Sequence, residues 1–292
     1  MRNNKFIFMA MIILVSLLCV SAVSAADDAA SDVIADTDTN DVTVLEESID
    51  DVSLADSQSG ENVLTDNSSQ SVQTFTDLEE IIVNAEKTIE LRSDFNNTED
   101  NYNEGNGITI DHNLTINGNG HTIDGNNKGR IFKITENAVV TFNDIYFINA
   151  NAEGRSWGGA IWAEDAQGKA INCTFMDNRA EWGAAVAHVD CENCIFINNT
   201  ANYHSTMFMG TANNCKFIDN YADAYAAGID QGTAINSTFI NCHLYNGTDH
   251  GARRGAAMTN STAINCSFIG NVALDEGGAI YKSNATNCTF TN

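Results

Sequence analysis

The chain has 292 residues, of which 39 are acidic and 14 are basic, so its formal net charge is −25. A chain this acidic repels the phosphates of nucleic acids and the headgroups of anionic lipids, which argues against both as partners. Its 8 cysteines would suggest disulfides if the protein is exported, but the repeat pattern described below argues against them.

Residues 1–26 have the pattern of a signal peptide. Arg2 and Lys5 precede a long uncharged apolar run, and small residues at Ala25 and Ala26 offer a cleavage site. The run is also long enough to anchor the chain in a membrane, but the small residues at its end favour cleavage. We therefore expect an exported protein, secreted or held at the cell surface, with no membrane span after signal cleavage.

An acidic segment follows at residues 27–73. Between Asp27 and Glu86 there are 17 acidic residues and neither Lys nor Arg, and the segment has few apolar residues up to about residue 73. Such a composition cannot bury enough apolar surface to offset the entropy lost on ordering. We expect a disordered segment, either a solvating spacer at the cell surface or a linker or propeptide without a role of its own.

Residues 74–107 are expected to form an N-terminal cap and the first strands. Thr76 and Glu79 have the spacing of a helix capping box. The apolar residues Leu78, Ile81, Ile82 and Ala85 then fall on one face of a helix. This pattern predicts a short amphipathic helix that covers the first turn of the domain behind it.

A short phrase, Asn-Cys-x-Phe, recurs six times in the second half of the chain, with Ser in place of Cys at position 237. Its second residue advances in steps of 21, 21, 22, 29 and 22 residues. A fixed period of this length, with strand-like pieces and no helical periodicity, is typical of a solenoid of short strands. We therefore predict an all-β fold, a parallel β-helix over residues 108–292 with about 21–22 residues in each rung.

Aligning the repeats separates inward from outward positions. Strand alternation places the Cys and Phe positions on one face and the mostly polar residue between them on the other, so Cys and Phe face inward. The predicted Phe column is Phe175, Phe196, Phe217, Phe239, Phe268 and Phe290. The predicted Cys column is Cys173, Cys194, Cys215, Cys266 and Cys288. A third column is expected in left-handed turn geometry, with side chains bonded along the stack: Asn178, Asn199, Asn220 and Asn271.

The alignment also decides how the cysteines are interpreted. Cys191 and Cys194 form a CxxC pair, which alone could indicate a metal or redox site. Cys194, however, belongs to the inward Cys column, and Cys191 occupies a column that is otherwise alanine. Buried small apolar residues are the better interpretation. Because neighbouring side chains in a column run parallel, we predict mostly free thiols, with no metal and no cofactor.

The last Phe is followed by only two residues, so no C-terminal cap is expected. An uncovered last rung would expose a strand edge. Either the chain is a fragment of a longer array, or this rung stacks end to end on another molecule.

The repeat, Asn-Cys-x-Phe-x-x-Asn-x-Ala followed by Gly-Gly-Ala-Ile, resembles the repeats of chlamydial polymorphic outer membrane proteins. Together with the leader, the acidic segment and the stretch LTINGNGHTIDG at 114–125, it makes the chain similar to adhesin-like surface proteins of methanogenic archaea. The resemblance implies a right-handed parallel β-helix with a role in attachment, to a glycan or to a cell-surface protein. It carries over no catalytic residues.

Parallel β-helices also include polysaccharide lyases and glycoside hydrolases, which is the alternative function. Such enzymes need clustered carboxylates, often with a basic residue. The acidic residues here do not recur in one column, although Asp177 and Asp219 occupy equivalent places two rungs apart. The six histidines show no ligand spacing and are expected on the surface or in turns. We expect a protein that is not an enzyme.

Two places could bind a ligand. Trp157 and Trp182 each precede a Gly-starting segment in consecutive rungs, and they could form an aromatic platform for sugars or pack the fold. The 29-residue step contains an insertion, which in a solenoid projects as a loop. The candidate binding residues in that loop are Tyr245, His250, Arg253 and Arg254, because adjacent arginines could meet a carboxylate or a sulfated glycan. A loop without function is the competing interpretation.

Asn-x-Ser/Thr sequons are numerous because Asn, Ser and Thr are abundant. Three of them fall in segments expected to be loops and are the candidates for glycosylation: Asn67, Asn96 and Asn246.

Overall fold

The computed structural model describes residues 73–98, 106–244 and 254–291, with only the backbone described at 153, 155 and 156. The predicted signal peptide lies outside the described residues, as does the acidic segment up to residue 72. Among the residues that the structure describes, no helix has the length and apolarity needed to cross a membrane.

Helix α1 spans Phe75–Val83, and its first turn corrects the predicted capping box. The N-cap is Thr74, whose Oγ1 accepts from the Asp77 backbone N–H at 3.2 Å. The Asp77 carboxylate in turn accepts from the Thr74 backbone N–H at 2.7 Å. The helix therefore begins before Thr76, because a start at this position buries the ring of Phe75.

The buried face of α1 also differs from the prediction at one position. Leu78 and Ile82 are fully buried, as is Phe75, but Ile81 is 37% exposed. Ala85 lies beyond the helix and packs against the core with part of its surface exposed. The face that closes the end of the solenoid is thus the one that carries Phe75.

The strands are short and follow one another with tight turns between them. In chain order they are β1 (Gln73–Thr74), β2 (Thr88–Glu90), β3 (Phe95–Asn96), β4 (Ile108–Ile110), β5 (Leu114–Asp124), β6 (Phe132–Ile134), β7 (Val139–Ile148), β8 (Asn151–Trp157), β9 (Ile161–Ala163), β10 (Gln167–Ile171), β11 (Thr174–Met176), β12 (Arg179–Trp182), β13 (Val186–Ala187), β14 (Val189–Glu192), β15 (Ile195–Ile197), β16 (Thr200–His204), β17 (Met207–Asn213), β18 (Lys216–Ile218), β19 (Tyr221–Ala222), β20 (Ile229–Ile235), β21 (Thr238–Ile240), β22 (His243–Leu244), β23 (Met258–Thr259), β24 (Thr262–Ile264), β25 (Ser267–Ile269), β26 (Ile280–Tyr281), β27 (Asn284–Thr286) and β28 (Thr289–Thr291).

Strands of successive rungs pair in parallel and build four stacks. The first stack runs β4, β6, β9, β13, β17, β20, β23 and β26. The second runs β2, β5, β7, β10, β14, β17, β20, β24 and β27. The third runs β1, β3, β5, β7, β11, β15, β18, β21, β25 and β28. The fourth runs β8, β12, β16, β19 and β22. One rung contributes to each stack in turn, so the chain is a parallel β-helix, which confirms the predicted fold class.

Phenylalanine rings fill the core at the third stack. The rings from Phe147 to Phe290 lie 4.5–5.0 Å apart between centroids and are nearly parallel, with interplanar angles of 6–12°. This spacing matches the separation of neighbouring strands, so each ring covers the next. Phe147 extends the column one rung before the Asn-Cys-x-Phe phrase begins. Phe290, in the last described rung, stacks on Phe268 and is 52% exposed.

The Asn column forms a buried ladder, but its backbone geometry differs from the prediction. Nδ2 of Asn199 donates to Oδ1 of Asn220 and to the carbonyl of Phe175, both at 3.0 Å. Asn178 makes the same pair of bonds, to Asn199 and to the carbonyl of Phe147. Asn271 donates to the carbonyl of Phe239 at 3.0 Å.

The left-handed residues stand one place before this ladder, not in it. They are Asp177, Asn198, Asp219, Asn241 and Gly270, with φ of 49–60°. A second left-handed position precedes the Cys column in every repeat: Asn172, Asn193, Asn214, Asn236, Asn265 and Asn287. The ladder Asn keeps ordinary geometry because its side chain must point inward to reach a carbonyl of the neighbouring rung.

The inward Cys side chains act as small buried hydrogen-bond donors. The thiols of Cys173 and Cys194 each donate to a carbonyl two residues earlier, at 3.3 Å. Ser237 occupies the same column and donates to the carbonyl of Ile235 at 2.8 Å. The position therefore suits a small side chain that can donate a hydrogen bond. Burial raises the pKa of the Cys173, Cys191, Cys242 and Cys266 thiols. All seven cysteines of the described residues are unpaired, and Cys288 is the most accessible.

Candidate ligand-binding groove

An aromatic ladder runs along the end of the fourth stack. Trp157 and Trp182 are in register there, and Trp182 is in register with His204 after a bulge beyond Ala180. The rings of Trp157 and Trp182 stack at 5.4 Å, those of Trp182 and His204 at 4.0 Å, and those of His204 and Tyr225 at 4.1 Å. Four consecutive rungs thus contribute one ring each to a continuous stack.

A glycine directly after each tryptophan ends the strand at that tryptophan. Gly158 and Gly183 follow Trp157 and Trp182 directly, with φ of +55° and +64°. A left-handed turn at this point directs the chain from the fourth stack into the first. The ladder therefore lies beside the outer face of the first stack, where the ring of Phe208 meets both tryptophans edge-on at 5.0 Å.

A buried imidazole–carboxylate pair lies beneath the ladder. Nδ1 of His204 is 2.5 Å from Oδ2 of Asp230, and the side chains are 8% and 0% exposed. Asn260 donates to the other carboxylate oxygen of Asp230 at 3.3 Å. His204 corrects the expectation that the histidines lie on the surface or in turns. Its ring is held between Trp182 and Tyr225, so the pair anchors the middle of the ladder.

At the Trp157 end of the ladder the structure forms an open groove of about 480 Å³. Its wall combines indole rings, amides, carboxylates and an imidazole from three successive rungs, those of β6, β9 and β13. The lining residues are Asn137, Trp157, Trp162, Ala163, Glu164, Asp165, Ala166, Gln167 and His188. Aromatic surface with a few converging polar groups is the usual composition of a small-molecule or glycan site.

Cations support the groove wall from behind. Arg130 is 1% exposed, and its guanidinium donates to the carbonyls of Trp157 and Gly158, at 2.7 and 2.9 Å. Arg130 and Lys133 also lie over the ring of Trp162, at 4.8 and 4.7 Å from its centroid. Nζ of Lys133 is 2.6 Å from a carboxylate oxygen of Glu164. The two tryptophans are therefore held in place from the protein side.

His188 stands beside the indole of Trp157, with ring centroids 5.6 Å apart. Desolvation lowers the pKa of His188 below its ordinary value, and the charge of Asp165 offsets part of this effect. A lowered pKa means that the imidazole is neutral at pH 7. It can then donate one hydrogen bond and accept another.

The structure thus brings Trp157 and Trp182 together, as the platform hypothesis requires. Apart from Trp157, sequence reasoning assigned none of the lining residues to this site, because they come from different rungs and share no motif. It also missed the rest of the ladder, although a signal was present. Trp182, His204 and Tyr225 follow the Cys column by nine, ten and ten residues.

The predicted loop residues Tyr245, His250 and Arg253 lie outside the described residues. Arg254 is described and is engaged with its own surroundings. Its Nε lies 3.1 Å from Oε2 of Glu276, and Nη1 donates to the Tyr281 hydroxyl at 3.1 Å. The structure does not bring Arg254 to the tryptophan groove.

Of the three glycosylation candidates, Asn67 and Asn246 lie outside the described residues. Asn96 was expected in a loop, and this expectation was wrong. It is half-buried on β3, opposite Thr74 and Asp124 on the neighbouring strands. It takes part in the first rung because the chain there pairs with β1 and β5.

The described part of the chain contains no group of three or more His, Cys, Asp or Glu side chains that could hold a metal ion. Asp177, one of the two equivalently placed carboxylates, accepts a hydrogen bond from the Asn198 amide of the next rung. Its carboxylate thus links two turns, as the Asn pairs do elsewhere.

Comparison with known proteins agrees with this architecture. Residues 69–187 match a family model described as "Putative pectate lyase-like adhesive domain", over about two fifths of the chain. The match runs from just before α1 to the end of β13 and includes every lining residue of the groove except His188. No curated protein matches the chain. The fold is a parallel β-helix, and the family match supports an adhesin-like domain in its matched part.

Proposed function

We propose that this protein is an exported, non-catalytic surface adhesin. Its β-helix serves as a rigid scaffold that presents a recognition site for a glycan or a cell-surface protein. The observation that carries the proposal is the match of residues 69–187 to an adhesive domain, on a chain whose described strands stack in register. The leader-like residues 1–26 and the resemblance to archaeal surface adhesins support export.

The groove supports an adhesive role because it is open and already formed. A site whose side chains are held in place loses little entropy when a ligand binds. Indole rings and amides can recognise a surface polymer without reacting with it. A non-catalytic site needs no acid–base pair at bonding distance from a reacting atom.

Attachment can be measured directly. Beads coated with the full chain are expected to be retained on cells or on immobilised cell-wall polysaccharide, whereas beads coated with a globular protein of equal charge are not. Absence of retention on every surface would contradict the proposal. The release of new polysaccharide ends, lost in Asp177→Asn, would contradict its non-catalytic part and favour the lyase or hydrolase alternative.

The insertion can be tested in the same assay. A glycan array probed with the intact chain and with a variant lacking residues 245–250 locates the binding surface. If the loop is the recognition element, its removal abolishes binding. If the groove is the recognition element, the shortened chain binds as the intact chain does.

A further inference from the structure

We propose that the groove at Trp157 and Trp162 binds an uncharged glycan and that its carboxylate wall excludes acidic polysaccharides. The proposal rests on the adhesive function proposed above and names its ligand class. It runs against the expectation that a pectate lyase-like domain would bind an acidic polymer. Three features carry it: a free aromatic face, converging neutral hydrogen-bonding groups, and an excess of negative charge.

The aromatic face is supplied by the end of the ladder. Trp157 belongs to β8, the edge strand of the fourth stack. The ring of Trp182 covers one side of its indole, and the indole also lines the groove. The apolar C–H face of a pyranose can pack on a flat ring of this kind while its hydroxyls point to the rim. A sugar placed there would continue the ladder by one further ring.

Neutral hydrogen-bonding groups surround that face. The amides of Asn137 and Gln167 both donate and accept, as a sugar hydroxyl does. Asn137 and Asp165 are in left-handed turns, with φ of 59° and 53°. The backbone conformation of these turns fixes the positions of their Cβ atoms at the groove. The site therefore offers paired donors and acceptors, which suits hydroxyl groups better than a single charge.

The charge balance of the wall decides between neutral and acidic ligands. Lys133 pairs with Glu164 and so neutralises it. Arg130 is buried and directed at backbone carbonyls. Among the described residues Asp165 forms no ion pair, and its neighbour His188 is neutral at pH 7. A uronate entering the groove would therefore meet an unbalanced negative charge, and the described lining contains no Lys or Arg to bind it.

The test is a titration of the full chain, followed by tryptophan fluorescence and calorimetry. The probes are neutral hexose oligomers (cello-, manno- and galacto-oligosaccharides) and oligogalacturonate of equal length. We expect at least one neutral oligomer to bind, and oligogalacturonate to bind at least about tenfold more weakly at about 0.15 M salt. Tighter binding of oligogalacturonate, or no neutral binding at all, would overturn the proposal.

Two variants locate the site on the ladder. Trp157→Ala is expected to weaken neutral oligomer binding by at least about tenfold, because it removes the stacking face. Tyr225→Ala removes a ring at the opposite end of the same ladder and is expected to change binding by less than about threefold. Melting curves of both variants establish that they are folded. Equal losses in the two variants would overturn the assignment to the groove.

A third variant tests charge alone and does not depend on the ladder. Asp165→Asn keeps the shape and tolerates the left-handed turn. It is expected to raise the ratio of oligogalacturonate affinity to neutral oligomer affinity by about tenfold, because it removes the unpaired negative charge of the wall. Unchanged discrimination between neutral and acidic oligomers would contradict the proposed exclusion of acidic polysaccharides.

If Trp157→Ala beads still attach to cells like wild type, only the groove assignment fails. If wild-type beads do not attach, the adhesive function itself fails.

Discussion

Asp230 is a fully buried carboxylate whose partner is the imidazole of His204. A buried pair of this kind adds little stability over an apolar pair of the same size, but a single buried charge without its partner is costly. Here the pair also carries the aromatic ladder, because the His204 ring lies between Trp182 and Tyr225. Its role at the residue scale is to fix the ladder in one place.

His204→Leu is expected to destabilise the protein by about 3–5 kcal/mol, since it leaves Asp230 buried without its imidazole partner. The double variant His204→Leu with Asp230→Leu should lose less than the single variant. Urea unfolding of both proteins measures the difference. A single variant as stable as the wild type would show that Asp230 does not depend on His204.

Phe196 and Thr174 occupy opposite faces of neighbouring strands in the third stack. The Phe196 ring is fully buried between two others, whereas Thr174 is partly exposed. Phe196→Ala is expected to cost about 3–5 kcal/mol because it opens a cavity between stacked rings. Thr174→Ala should cost no more than about 0.5 kcal/mol. Equal melting temperatures for the two variants would contradict the inward register.

At the scale of elements, the Asn ladder connects neighbouring rungs from the inner side of the corner between the third and fourth stacks. Each ladder Asn donates to a carbonyl of the preceding rung, and Asn178 and Asn199 also donate to the side-chain oxygen of the next Asn. Its Oδ1 also accepts from a backbone N–H, as in the bond from Asn178 to Asn199 at 3.0 Å. The backbone polar groups that these side chains contact, in the turn between the third and fourth stacks, are thus hydrogen-bonded within the protein.

Asn199→Ala should therefore be much more costly than removal of an exposed Asn. It leaves the carbonyl of Phe175 and the N–H of Asn178 without their side-chain partner, at about 1–3 kcal/mol for each buried group. Asn213→Ala, on the exposed end of β17, is the matched control and should stay within about 0.5 kcal/mol. Chemical unfolding compares the two, and similar losses would refute a structural role for the ladder.

The stacks were predictable from sequence because each rung repeats the same inward residues at the same spacing. Phe175 and Phe196 could be aligned by counting, and strand alternation then fixed their face. The start of α1 was misplaced because two capping boxes compete there, and burial of Phe75 selects the earlier one. The groove could not be predicted, since Asn137, Trp162 and His188 come together only through the pitch of the solenoid.

At the scale of the whole molecule, buried thiols make the stability of the fold decrease at alkaline pH. Burial raises the pKa of Cys173, Cys191, Cys242 and Cys266 in the folded chain, whereas thiols ionise near pH 8.5 when the chain is unfolded. The unfolded chain then holds fewer protons than the folded chain above that pH. The stability due to protonated thiols is therefore complete below about pH 8.5 and is lost as pH rises.

The free energy of unfolding is expected to decrease between pH 7.5 and 9.5, by up to about 1.4 kcal/mol per pH unit for each such thiol. Urea midpoints across this range measure the slope. Cys242→Ala removes one buried thiol, so it should reduce the pH slope of the unfolding free energy by the contribution of one proton. This decrease distinguishes the effect of thiols from that of Lys and Tyr, which also titrate at alkaline pH. A slope that is flat, or identical in Cys242→Ala, would contradict the linkage.

The stacking of strands also has a mechanical consequence for a protein that holds surfaces together. In a parallel β-helix the inter-strand hydrogen bonds run along the long axis, so tension between the two ends loads the rungs in series. In a solenoid a rung at an end contacts one neighbouring rung and would detach before those inside. Release of one rung of 21 residues frees roughly 70 Å of extended chain, so the scaffold would lengthen in steps and absorb work before an attachment fails.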